Sequence, residues 1–153
     1  MMPRILIIDD DHHILIMTKK MLERAGFEVE LASNGNEGLE LFKRMPVDLV
    51  ITDIIMPEKE GLETIRAMKK LRADLKIIAM SGGGKISSNN YLDAAKIFGA
   101  TRVLGKPFSQ KQMVSTVHEL LSDPSDKNQY SKSSDLAGLK KEQGRQKGSG
   151  DNQ

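Results

Sequence analysis

Short runs of aliphatic and β-branched residues alternate along the chain with longer segments whose apolar positions recur at helical spacing. Arg4 to Ile8, Glu28 to Ala32, Asp48 to Thr52, Lys76 to Met80 and Thr101 to Leu104 read as strands. They are mostly apolar without polar alternation, the pattern of strands buried on both faces. Between them, Ile14, Met17, Met21, Leu22 and Ala25 share one helical stripe, as do Leu62, Ile65, Met68 and Leu71, and again Met113, Val117, Leu120 and Leu121. Weaker helical patterns cover Glu37 to Arg44 and Asn90 to Phe98. Gly26, Asn34-Gly35 and Gly99 punctuate these segments as C-cap or turn residues. Parallel neighbours need crossover connections, so five strands alternating with five helices predict a doubly wound α/β domain with helices on both faces of the sheet.

The pattern ends near Ser122, which places one domain at residues 1–122. From Asp123 the composition shifts to Ser, Lys, Asp, Gly, Gln and Asn, with only Tyr130, Leu136, Ala137 and Leu139 as apolar punctuation. Residues 123–153 are therefore expected to be a polar, disordered tail, with a short docking helix around Asp135 to Gln146 as the other reading. At 153 residues and 39% hydrophobic side chains, the chain supports one core and no second domain. The 23 Lys and Arg nearly balance 21 Asp and Glu, so the net charge of +2 offers no footprint for nucleic acid. With no Cys there is neither a disulfide framework nor a thiolate metal site. No apolar run is long enough to span a membrane, and nothing near Met1 has a signal peptide's core, so a cytoplasmic location is expected.

The chemistry-bearing residues collect at the ends of predicted strands. Asp9, Asp10 and Asp11 follow the first, Asp53 the third, Ser81 the fourth and Lys106 the fifth. In an open parallel sheet these ends share one edge, where ligands bind. Carboxylates brought within about 4 Å repel by roughly 4 kcal/mol per pair at an effective dielectric near 20, so something positive must offset them. A hard cation held by carboxylate oxygens, a backbone carbonyl and waters would do so, and Mg²⁺ fits that donor set, with Mn²⁺ as a substitute. Together with the Lys106 ammonium it would neutralise a phosphoryl group passing to a carboxylate nucleophile, while the Ser81 hydroxyl donates to a phosphoryl oxygen.

Across residues 4 to 122 the sequence resembles the response-regulator receiver family. The matching stretches are Ile5-Leu6-Ile7-Ile8-Asp9-Asp10-Asp11, Asp48 through Asp53-Ile54-Ile55-Met56-Pro57 with Gly61, Ile78-Ala79-Met80-Ser81-Gly82, and Gly105-Lys106-Pro107-Phe108. The resemblance implies a flavodoxin-like five-stranded parallel sheet in the order 2-1-3-4-5, with a cis bond often found before Pro107. It implies that Asp53 is phosphorylated and also ligates the metal, that Asp10 binds the metal, that Asp9 serves it directly or through water, and that the Ile55 carbonyl completes the protein ligands. Ser81 and Lys106 then carry the switch. The implied phosphodonor is a histidine kinase or a histidine phosphotransfer protein. The implied output face is the fourth helix, fifth strand and fifth helix, for a downstream protein or a phosphorylation-linked dimer. The implied role is a signalling phosphoacceptor, not an enzyme beyond its own phosphorylation and dephosphorylation.

Departures from the family pattern limit what transfers. Val103 stands three places before the lysine, where many receivers carry an aromatic residue that turns inward on activation. The stretch Ser81 to Asn90 is Gly-rich and about a helical turn longer than usual, so the fourth helix is expected to start late or move more. Glu60 replaces the acidic Asp common before Gly61. Ile55 and Gly83 flank the expected phosphoryl site without a polar group to orient water, which predicts slow self-dephosphorylation.

Blander readings apply to several residues. Asp11 reads equally as a helix cap, His12, His13 and His118 as surface residues, and the nine Met as core filler. Gly82-Gly83-Gly84-Lys85 lacks the Walker spacing. Two other functions remain open at this level. A haloacid-dehalogenase-like phosphatase would use the D-x-D in Asp9-Asp10-Asp11, yet it needs an acidic pair after the lysine that no strand end supplies. An interaction module that is never phosphorylated would leave Asp9, Asp10, Asp53 and Lys106 without a purpose.

Overall fold

The computed structural model describes residues 2–54, 61–82 and 95–122. Five strands form one parallel sheet: β1 (Arg4–Ile8), β2 (Glu28–Ala32), β3 (Leu49–Asp53), β4 (Lys76–Ser81) and β5 (Arg102–Gly105), in the order β2-β1-β3-β4-β5. The bounded helices are α1 (His12–Arg24), α2 (Gly35–Arg44), α3 (Gly61–Leu71) and α4 (Gln110–Ser122), and residues 95–98 are helical as well. The chain divides into units Met1–Leu121 and Ser122–Gln153, and all but the first residue of the second unit lie outside the described residues. The expected disordered tail and the late start of the fourth predicted helix therefore lie outside them too.

Side-chain alternation on the inner strands builds two cores. On one face Leu6, Ile8, Val50, Ile54, Ile77 and Ala79 pack with Ile65 and Met68 of α3 and the apolar edge of α2. On the other, Ile5, Ile7, Leu49, Ile51, Ile78 and Met80 pack with Leu15 and Leu22 of α1 and Met113, Val117 and Leu120 of α4. This is the doubly wound arrangement that the hydrophobic pattern predicts. Full burial of each such side chain contributes about 1.5–3 kcal/mol.

Local chemistry sets the boundaries. The Asp11 carboxylate accepts from the amides of His13 and Ile14 and caps α1, so its helix-cap reading holds. Gly26 then ends that turn at φ +98°, a conformation that strains any side-chain-bearing residue. Asn34 precedes α2 as its N-cap, its side chain accepting from Glu37 N, while Gly35 is the first helical residue instead of a turn residue. Ser109 and Gln112 cap α4 reciprocally, each backbone N–H donating to the other's side chain. At the N-terminal edge of the sheet, Arg4 donates to the Pro46 carbonyl and pairs with Glu28, Arg72 donates to the Val47 carbonyl, and the Lys76 ammonium caps the Leu120 carbonyl near the end of α4.

Two stripe residues depart from expectation. Leu71 is 55% exposed, because nine residues at about 100° per residue carry it to the opposite side of α3 from Leu62. Thr64 is buried in that helix instead. Met17 is also exposed, since the buried stripe of α1 is Leu15, Thr18 and Leu22 and Met17 falls on its flank. Among the described methionines only Met68, Met80 and Met113 are fully buried, so core filling explains a part of them. Met68→Ala should cost about 2–5 kcal/mol in denaturant unfolding, whereas Met17→Ala should change stability by no more than about 0.5 kcal/mol.

Candidate phosphoacceptor and metal site

The strand ladders carry three of the candidate residues to one edge. Asp48 pairs its backbone and carboxylate with Arg4 before β3 begins, so the strand runs one residue later than its apolar pattern and includes Asp53 as its final rung, opposite Met80. Asp9 follows β1 and extends its ladder through an N–H donated to the Ala32 carbonyl at 3.1 Å. Ser81 is the final rung of β4, opposite Gly105, and its carbonyl accepts from Lys106 N at 2.7 Å. Lys106 itself precedes a cis peptide bond to Pro107.

Asp9, Asp10, Asp53 and Lys106 meet at this edge. The Lys106 ammonium lies 2.7 Å from Asp9 Oδ2 and 3.2 Å from Asp53 Oδ1. Asp9 is fully buried, its Oδ1 also accepting from the amide of Asp11 at 2.9 Å. Asp53 is 6% exposed and Asp10 lies at the solvent side. One carboxylate oxygen from each of the three aspartates lies within 4.8 Å of the other two. At that distance each like-charged pair repels by roughly 3–4 kcal/mol at an effective dielectric of 20, and one lysine cannot neutralise three carboxylates. The donor set is all oxygen and strongly anionic, the chemistry of a hard divalent cation.

The protonation equilibria reflect burial first and the neighbouring charges second. Burial, reinforced by the negative charge of Asp9, raises the Asp53 carboxyl from 3.8 to about 6 against the pull of Lys106. Burial also raises Asp9, with Lys106 and the Asp11 amide opposing it. For Lys106 burial works downward, but the hydrogen bond it donates to Asp9 and the charge of Asp53 outweigh it and hold the ammonium above its ordinary value.

Gly61 shapes the site through the backbone. A Cβ there would sit 2.0 Å from the Asp53 carbonyl oxygen and 2.6 Å from Ile54 Cα, so only glycine lets α3 begin against the end of β3. Its N–H donates to the Ile54 carbonyl at 2.7 Å. His12 and His13 are exposed, as is His118, whose ring packs on Phe27 at 5.1 Å between centroids. Val103 is half-buried against the core under α3, opposite Ala79. Ile55, Glu60 and Gly83 lie outside the described residues, so the expected carbonyl ligand and the flanking positions do too. The direct Lys106 to Asp9 pair and the Asp11 amide on Asp9 are features that spacing alone did not reveal. An Asp followed two residues later by a helix cap is the signal that could have suggested the second.

The model of the response regulator receiver domain matches residues 5–118. The chain belongs to the response-regulator receiver family. It is 34% identical over 120 residues to the response regulator receiver protein CpdR of Brucella abortus, covering 78% of this chain and 98% of that protein. It is also 34% identical over 118 residues to the chemotaxis protein CheY of Thermotoga maritima, covering 76% of this chain and 96% of that one. Among solved structures, a CheY-like receiver domain protein from Methanospirillum hungatei superposes with a TM-score of 0.74 at 31% identity, covering 84% of this chain and all of that one. As a receiver, the chain is a phosphoacceptor signalling module and not a conventional enzyme, which removes the phosphatase alternative. Membership implies a histidine kinase or phosphotransfer protein as partner.

The raised Asp53 value has a defined consequence for stability. The folded receiver binds this proton more tightly than the unfolded chain does, so stability falls as pH rises from about 3.8 through about 6, by up to about 3 kcal/mol from this group. Without divalent cation, the unfolding midpoint should therefore rise as pH is lowered from about 7 to about 5. Asp53→Asn should raise the midpoint at neutral pH and flatten that slope. A thermal melt series with chelator checks both, and an unchanged slope in the variant would refute the electrostatic assignment.

Proposed function

We propose that Asp53 accepts the phosphoryl group in a Mg²⁺-dependent reaction and that Asp9, Asp10 and Lys106 supply the charge balance that permits it. The observation that carries this reading is the gathering of three carboxylates within 4.8 Å of one another, two of them paired with the half-buried Lys106 ammonium. An Asp53 carboxylate oxygen attacks phosphorus, an acyl phosphate bond forms, and the bond from phosphorus to the donor histidine nitrogen breaks. Mg²⁺, held by Asp10 and Asp53, by Asp9 directly or through water, and by the Ile55 carbonyl, would screen the phosphoryl oxygens, and Mn²⁺ satisfies the same oxygen donors. Lys106, already 3.2 Å from Asp53, is placed to offset the charge of about −1.5 to −2 that arrives.

Ser81 is the hydroxyl at the next strand end, and its carbonyl is tied to Lys106 N. Donation from Ser81 to a phosphoryl oxygen would therefore pull β4 and the β5 to Lys106 segment together. Val103 is β-branched and packed, and it has no aromatic ring to swing, so this coupling runs through the backbone of β4 and β5. Residues 1–122 carry the receiver function in the cytoplasm, and the family resemblance supports an output surface on residues 95–98, β5 and α4, for a downstream protein or a second copy. Among the described residues no helix is long and apolar enough to cross a membrane.

Incubation with acetyl phosphate and Mg²⁺ followed by intact mass should show one phosphoryl adduct. That adduct should be absent from Asp53→Asn and from reactions with chelator. An adduct of equal yield in Asp53→Asn, mapped to the same peptide, would remove the assignment.

A further inference from the structure

A buried hydroxyl must find a partner, and the one beside Asp53 finds it in the phosphoacceptor's own backbone. Thr52 is fully buried, and its Oγ1 donates to the Asp53 carbonyl oxygen at 3.0 Å. Strand alternation sends the two side chains to opposite faces of β3, so Thr52 reaches Asp53 from beneath the pocket. The next N–H, that of Ile54, donates to the Met80 carbonyl at 3.0 Å. The peptide unit leaving Asp53 is thus held at both of its polar ends, with Gly61 pressed against the same carbonyl. A β-branched side chain has few χ1 choices, so packing its methyl also aims its hydroxyl.

We propose that Thr52 is a positioning residue for phosphoryl transfer, its hydroxyl fixing the peptide plane that sets the direction in which the Asp53 carboxylate leaves the end of β3. The inference rests on reading Asp53 as the acceptor and adds a residue that acts through the backbone. In-line attack is sensitive to placement, and a shift of about 1 Å can cost about 100-fold in rate. Without the hydroxyl, the Asp53 carbonyl loses this donor in a buried setting, and the plane is free to turn.

The test compares phosphorylation rates of the full chain with acetyl phosphate at saturating Mg²⁺ for wild type, Thr52→Val and Thr52→Ser, alongside thermal midpoints. Thr52→Val keeps the volume and should slow phosphorylation about tenfold, the equivalent of one buried hydrogen bond. Thr52→Ser keeps the hydroxyl and should stay within about twofold of wild type although the lost methyl lowers its midpoint. Should Thr52→Val fail to fold, Thr52→Ser and Thr52→Ala supply the comparison, with Ser about tenfold faster. A Val variant at the wild-type rate, or rates that simply follow the midpoints, overturns the proposal. No adduct on wild type would overturn the reading of Asp53 and this inference with it, whereas wild-type phosphorylation with an indifferent Thr52→Val removes the inference alone.

Discussion

The Lys106 ammonium is the interaction on which the functional edge depends. It lies within 3.2 Å of two buried carboxylates and is, among the described residues, the cation paired with both. Because Asp9 and Asp53 are both nearly inaccessible, bulk water screens them weakly, and their repulsion must be met locally. One ammonium against three carboxylates leaves an excess of negative charge, which makes the edge receptive to a divalent cation and costs stability without one. Burial first, and the negative charge of Asp9 second, raise the Asp53 carboxyl there.

Holding four such groups together requires a rigid scaffold, and the sheet provides it. Asp53 belongs to the ladder itself, Asp9 is joined to it by one further hydrogen bond, and Lys106 is tied to the last rung of β4. Gly61 shows the precision involved: α3 starts so close to the Asp53 carbonyl that a methyl group would not fit. The glycine that reads as a motif position in the sequence is thus a contact on the backbone of Asp53, the proposed phosphoacceptor.

Most of this architecture was legible because strands buried on both faces leave unbroken apolar runs, and because each run ends in a polar residue with a chemical use. The errors fell where one-dimensional patterns are weakest. Asp48 counted as strand because it adjoins an apolar run, yet its carboxylate caps Arg4, and Asp53 took its place in the ladder. Leu71 and Met17 matched a local spacing of three, but that spacing drifts around a helix of 3.6 residues per turn. The convergence of Asp9, Asp10, Asp53 and Lys106 could be inferred from strand ends, whereas which carboxylate binds the lysine most closely depends on loop geometry. Thr52 carried no signal at all, since a threonine in a β-branched run looks like any other strand residue.

The two edges of the sheet differ in a way that bears on how the domain opens. At the N-terminal edge, Arg4, Arg72 and Lys76 each lend a cationic donor to a backbone carbonyl, joining segments remote in sequence. At the opposite edge, like charges are crowded together. Partial unfolding should therefore be polarised along the strands, with the charged edge fraying first while the stitched edge persists to the global transition. The proposed phosphorylation and metal binding would then act on the edge expected to fray first, where a modest free energy can alter which local openings are populated.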